Sequence, residues 1–294
     1  MSLSIVTNTA SMMVRTNLTS ATDGMNTAIE RMTTGFKINN AKDDAAGYNI
    51  MDTMTAKIGS YNVAADNCQL GLDMLTTAEE NYALITEHLQ RIRDLTVQAS
   101  NDTYSTNSLK AIRAELIARM EEINRVAAIA EYNGFYLMNG DIEDDLRIQA
   151  SLNGDDNSGI TLSKSLFAEV KCSDLMAIAS ATEITAIASC FAKVDKDGLI
   201  QDENASMYLT AIDKAILNIA DRVTNLGAAQ NRLESAMTAI DTSVQQLTNS
   251  RSSIRDADVA EESTNYIQYQ ILQSAASTLL ATANQTPSIA LQLI

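Results

Sequence analysis

The chain has 294 residues, with 37 Asp plus Glu against 21 Lys plus Arg and a formal net charge of −16, so an anionic partner such as nucleic acid or an acidic membrane is not expected. One Pro, 11 Gly and no Trp stand among abundant Ala, Met, Leu and Ile, a composition with few breakers that favours long helices. Three Cys and one His exclude a disulfide framework and an HExxH zinc site, and argue against a Ser-His-Asp triad.

At the N-terminus, "MSLSIVTNTAS" has no basic segment and no sustained apolar run, so a secretory signal is not expected. Nor does any window reach the roughly 18 apolar residues of a membrane span. The first helical seam follows in Val14, Leu18, Ala21, Met25, Ala28 and Met32. Its alternating steps of four and three are those of a coiled coil, and it stops at Gly35. After the polar stretch "INNAKDDAAG" (38–47), a second seam runs through Met51, Met54, Ile58, Tyr61, Ala65, Cys68, Leu72 and Leu75. It continues with a shift of register through Tyr82, Leu89, Ile92 and Leu95. A helix over 45–100 would be roughly 80 Å long, which predicts an elongated molecule. On that stripe Cys68 reads as a small buried hydrophobe.

"SNDTYSTNS" (100–108) is a turn rich in capping residues. The third seam, Leu109, Ile112, Leu116, Met120 and Ile123, is expected antiparallel to the second because the connection is short. From about 133 the pattern changes. "YNGFYLMNGD" and "DLRIQASLNGDDNSGITLS" carry Asn-Gly pairs between short apolar runs, which predict hairpins. "SDLMAIASATEITAIASCFAKV" (173–194) reads as helix. Residues 141–204 hold 13 acidic and 5 basic residues, a net of −8; half the excess charge in a fifth of the chain predicts a solvated surface module. Cys172 and Cys190 are expected to be free thiols, though they could pair.

The fourth seam is the most regular: Ile216, Ile219, Val223, Leu226, Leu233, Met237, Ile240, Val244, Leu247 and Ile254, with Gln230 and Arg251 at polar steps. After Glu262 come 32 residues without Asp, Glu, Lys, Arg or His, and the first 22 residues carry only Arg15. In this tail Tyr269, Leu272, Ala276, Leu279 and Ala283 again step by three and four. An exposed helix keeps a charged face; a neutral one suits burial on several sides, since burying an unpaired charge costs several kcal/mol. Too little apolar surface is present for either end to fold alone. Both are expected to fold packed on each other and on neighbouring copies, which implies self-assembly.

Other chemistry fails on spacing. "VDKDGLIQDEN" (194–204) aligned as a calcium loop places Lys193 and Asn204 where charged ligands belong, and "NGDDNSG" (153–159) lacks a closing Glu. No nucleotide-binding glycine loop is present. No cofactor and no metal are expected.

Several stretches are similar to bacterial flagellins: "RMTTGFKINNAKDDAAGYNI" (31–50), "LQRIRDLTVQASNDT" (89–103), "MEEINRVAAIAEYNGFYLMNG" (120–140), "NLGAAQNRLES" (225–235), "SRSSIRDADVAEES" (250–263) and "QILQSAASTLLATANQ" (270–285). They fall in the family's order and cover about 1–140 and 206–294. The resemblance implies a mainly α, elongated antiparallel helical rod with a small β-hairpin and variable insert. Residues 1–44 and 252–294 would form the inner coiled-coil layer of a filament, 45–140 and 206–251 the rod, and 141–205 the surface insert. It further implies a non-enzymatic, self-polymerising subunit outside the cell, sent through the flagellar export apparatus. Partners would be the export chaperone, cap and hook-junction proteins. Polymerisation seams would include Val14, Leu18, Met25, Met32, Leu272 and Leu279. Gln90, Arg91, Leu95, Gln98 and Glu115 match the motif that the animal Toll-like flagellin receptor reads; they also sit where protofilaments touch. Asp43 and Asp44 read as surface charge or as partners for basic residues of neighbouring subunits. Readings that compete are a hook–filament junction protein, an enzyme carried in the insert, and an adhesin or immune ligand.

Overall fold

A computed structural model describes residues 8–101, 103–152, 158–171 and 202–292. Cys172, Cys190, the helix expected over 173–194 and the loop at 194–201 lie outside the described residues, as does most of 153–159. Among the described residues are five long helices: α1 (Thr9–Thr34), α2 (Ala45–Ala99), α3 (Thr106–Ile129), α4 (Asp202–Arg255) and α5 (Val259–Gln292). Two short antiparallel pairs join them, β1 (Glu131–Tyr132) with β2 (Phe135–Tyr136) and β3 (Leu146–Gln149) with β4 (Gly159–Leu162). The fold is thus mainly helical with a small β portion. It divides into two compact units, residues 1–59 with 244–294 and residues 60–243.

In the first unit, local chemistry sets where helices begin and stop. Asn8 caps α1, its side-chain oxygen accepting from the Ser11 amide at 3.0 Å. Gly35 ends α1 in the left-handed region (φ 73°), donating to the Arg31 carbonyl. Asp44 Oδ1 accepts from the amides of Ala46 and Gly47, both at 3.0 Å, and so caps α2. Asp43 Oδ2 accepts from Asn40 N at 2.9 Å and Asn39 N at 3.2 Å. The Asn40 bond above all holds its carboxyl below the usual range. These two carboxylates therefore serve the turn between α1 and α2, a role that reading them as charge for neighbouring molecules misses.

The second unit is built on three antiparallel helices. Arg91 meets Glu115 and His88 meets Arg119, so α3 runs back along α2. Arg93 meets Asp213 and Glu79 meets Gln230, so α4 does too. Between them lie Cys68, Leu75, Tyr82, Ile85, Leu89, Ile92, Ile123, Ile212, Ile219, Leu226 and Leu233, all fully shielded. Cys68 is a free thiol, and burial pushes its ionisation up.

The register shift expected beyond Leu75 does not occur there. Ala64, Cys68, Gly71, Leu75, Ala78, Tyr82, Ile85, Leu89 and Ile92 are all buried, an unbroken alternation of four and three. Ala64 and Gly71 take the places that pattern reading assigned to Ala65 and Leu72. The reason is steric: the Ile148 side chain of β3 occupies the space a Cβ on Gly71 would need.

Asn133 (φ 50°) and Gly134 (φ 85°) form the two-residue turn of β1–β2, as Asn-Gly chemistry dictates. The stretch after it is not merely solvated. Leu137, Met138, Leu162, Leu166, Phe167 and Val170 enter the core of this unit. The Tyr82 hydroxyl donates to the Leu166 carbonyl at 2.8 Å, and Arg222 Nη1 donates to Ala168 O at 2.7 Å. Burial pushes the Tyr82 phenol up. The neutral phenol can then stay a donor inside an apolar core.

Leu226→Asp places a carboxylate with no partner at a fully shielded site. It should cost roughly 3–5 kcal/mol, read as a lower midpoint in urea or thermal unfolding followed by circular dichroism.

Candidate assembly surfaces

Within the first unit α1 and α5 pack antiparallel. Asn8 Nδ2 donates to Ala283 O at 2.8 Å, Gln273 Nε2 to Thr22 Oγ1 at 3.1 Å, and Arg31 Nη1 to Glu262 Oε1 at 3.0 Å. The whole α1 seam, Val14, Leu18, Ala21, Met25, Ala28 and Met32, is half-buried or buried. On α5 the shielded positions are Glu262, Tyr266, Tyr269, Gln273, Ala276, Leu280 and Ala283, again fours and threes. Leu272 and Leu279 are therefore not members of the seam within the chain. They are 47% and 58% exposed, displaced by one residue because Gln273 bonds Thr22 across the pair and Leu280 takes the inward place. Tyr269 lies against Gly24, where a Cβ would come within 2.6 Å of the ring.

The outward side of this pair carries large apolar side chains among neutral polar ones, with few charges. Met12, Met13, Ile267 and Ile271 are each more than half exposed. A groove of about 490 Å³ runs beside the seam between Val14, Ala21, Tyr269, Leu272 and Leu279. One buried charge stands at the far end of the pair: Glu262, 7% exposed, held by Arg31. Sequence reading overlooked this ion pair. Its signal was Glu262 itself, seven residues before Tyr269 and so on the same stripe.

Beyond α1 the two connecting segments cross as a single antiparallel bridge, Phe36 to Asp256. Lys37 N donates to Arg255 O at 2.6 Å and Ala257 N to Gly35 O at 2.9 Å. The Arg255 guanidinium sits 3.7 Å over the Phe36 ring, an attraction of about 0.5–2 kcal/mol.

In the second unit Arg91 directs both Nε and Nη2 at Glu115 Oε1, each at 2.9 Å. Gln98 donates to the Tyr104 hydroxyl at 2.9 Å, and Gln90 is exposed. Leu95 is different. At 1% exposure it belongs to the core beneath this patch, because it continues the α2 seam one turn after Arg91. Of the five residues named together from sequence, the structure joins Arg91 to Glu115, leaves Gln90 and Gln98 on the surface, and removes Leu95 from it. His88, half-buried, meets Arg119 at 3.3 Å. No helix among the described residues is long and apolar enough to cross a membrane.

Residues 5–142 match the family profile of the bacterial flagellin N-terminal helical region, and residues 209–294 that of the C-terminal helical region. A flagellin of Xenorhabdus nematophila is 34% identical, over 99% of this chain and 98% of the relative. One from Halalkalibacterium halodurans is 32% identical, over 91% and 90%. A solved structure described as a flagellar hook-associated protein from Vibrio parahaemolyticus shares the fold, with a TM-score of 0.54 at 14% identity. That likeness spans 73% of this chain and 98% of the other.

Arg31→Ala strips the shielded Glu262 carboxylate of its partner. The α1–α5 pair should lose about 1–3 kcal/mol, seen as faster amide hydrogen exchange in both helices while the second unit keeps its protection.

Proposed function

The chain belongs to the bacterial flagellin family, and from that premise we propose that it is a structural subunit polymerising with its own copies into the flagellar filament, an extracellular appendage. One observation carries the reading: α1 and α5 cover only one side of each other and leave large apolar side chains exposed on an outward side with few charges. Large apolar side chains in that setting gain free energy only by meeting more protein. Residues 1–44 and 252–294 then form the inner layer, 45–140 and 206–251 the rod, and 141–205 the insert, anchored to the rod through Leu162, Leu166, Phe167 and Val170. Leu272 and Leu279, exposed on α5, are seams between copies, while Val14, Leu18, Met25 and Met32 serve the pair within each copy. Export in an unfolded state, with a chaperone holding the apolar tail, and contact with hook-junction and cap proteins complete the scheme.

A hook–filament junction protein is the competing reading. Likeness to a hook-associated protein at 14% identity concerns the fold alone, whereas family profiles cover both ends of this chain. Electron microscopy of purified protein decides: long helical filaments support the subunit reading, and short or capped oligomers overturn it. Deleting 263–294 should leave a folded monomer that sediments as one species and never forms filaments.

Arg91, Glu115, Gln90 and Gln98 are the residues we propose for contact with the animal Toll-like flagellin receptor. Support lies in their exposure beside the motif and in the forked geometry of Arg91. Arg91→Ala should lower receptor signalling at least tenfold (about 1.4 kcal/mol) in a reporter-cell assay, with unfolding unchanged; unaltered signalling would remove this reading.

A further inference from the structure

A second groove, of about 530 Å³, lies in the 60–243 unit between α2 and α4. Ala83, Ile216, Ala220 and Val223 give it an apolar lining, Glu79 and Glu87 stand on its α2 side, and no Lys or Arg lines it. Glu79 accepts from Gln230 at 2.9 Å; Glu87 has no ion-pair partner among the described residues. The two carboxylates are eight residues apart on one helix, about 12 Å. This groove suits an apolar side chain accompanied by cations.

The same unit displays that combination on another helix. Lys110, Arg113 and Ile117 step by three and four along α3 and so share one stripe. Ile117 is 38% exposed. Lys110 and Arg113 have no ion-pair partner among the described residues, although the chain carries 37 acidic groups to 21 basic ones. Arg91, Arg93, Arg119 and Arg125 are by contrast each tied to a carboxylate within their own unit.

We propose that the α2–α4 groove receives the Lys110–Arg113–Ile117 stripe of α3 from a second copy of this chain. The inference rests on the self-polymerising reading and names which surfaces of that polymer meet. Ile117 enters the apolar lining, and Arg113 and Lys110, both on its N-terminal side, face the carboxylate at that end of the groove. Donor stripe and acceptor groove are different surfaces, so each copy can give its stripe to one neighbour and its groove to another. One copy docking into the next leaves a free groove at one end and a free stripe at the other. Head-to-tail contacts of that kind propagate as an open helical array when the rotation between copies does not close a ring. Opposite charge on the two surfaces steers them together and sets which faces meet.

Charge reversal on each side tests the pairing. Lys110→Glu with Arg113→Glu, and separately Glu79→Lys with Glu87→Lys, should each raise the concentration needed for polymerisation at least tenfold by sedimentation. Their melting temperatures should stay near that of the native chain. A mixture of the two variants should polymerise again, because each donor then faces an oppositely charged groove. A single chain carrying all four substitutions should do so as well. If Glu79→Lys unfolds the unit by losing Gln230, Glu87→Lys alone takes its place. Polymerisation of either folded variant at the native concentration overturns the proposed contact, as does a mixture that stays monomeric. Failure of the native chain itself to polymerise would overturn the filament reading instead.

Discussion

The antiparallel packing of α1 on α5 is the constraint on which the rest depends. It brings together two segments that hold hardly any charge and, by composition, gain little from water on either side. Each helix offers one stripe to the other, with Ala21, Ala28 and Ala276 letting the backbones approach and Tyr269 lying over Gly24. Half of each helix remains outside that contact. An apolar face of this kind on a free molecule is a liability for aggregation, and the orderly outlet for it is a defined array of identical neighbours.

Charge is distributed to suit. The one buried carboxylate in the α1–α5 pair, Glu262, is matched by Arg31, so burial on further sides meets no unpaired ion there. Neutral Gln, Ser and Thr fill the remaining positions, and many Ser and Thr hydroxyls donate to the carbonyl one turn earlier, as Thr278 does to Ser274 and Thr282 to Thr278. Such hydroxyls need no water and can enter an interface satisfied. The 60–243 unit works differently. Its core is continuous and mostly aliphatic, and Arg–carboxylate pairs lie on its surface.

Between α1 and α2 on one strand and α4 and α5 on the other, the bridge of Phe36 with Asp256 and the stacking of Arg255 on Phe36 fix how the two connectors pass. Asp43 and Asp44 secure the same place by capping backbone amides. The short polar stretch 38–47 is therefore a structured corner. Its acidic pair looks like solvated charge only when the amides it serves are not in view.

Helix identity, the stop of α1 at Gly35, the capping turn before α3, the Asn133–Gly134 turn and the shielding of Cys68 were legible in the residues, because periodicity, capping and turn chemistry act within a few positions of the chain. The neutral character of both ends was legible too, since charge is a property of composition. Tertiary structure alone decided the register. It put Gly71 rather than Leu72 on the α2 seam because Ile148, far away in the chain, fills the space above it. It put Gln273 and Leu280 rather than Leu272 and Leu279 on the α5 seam because Thr22 offers Gln273 a partner. It drew Phe167 from an acidic stretch into the core. A heptad pattern tells that a helix has an apolar side; which of two adjacent stripes is covered depends on what the rest of the chain brings against it.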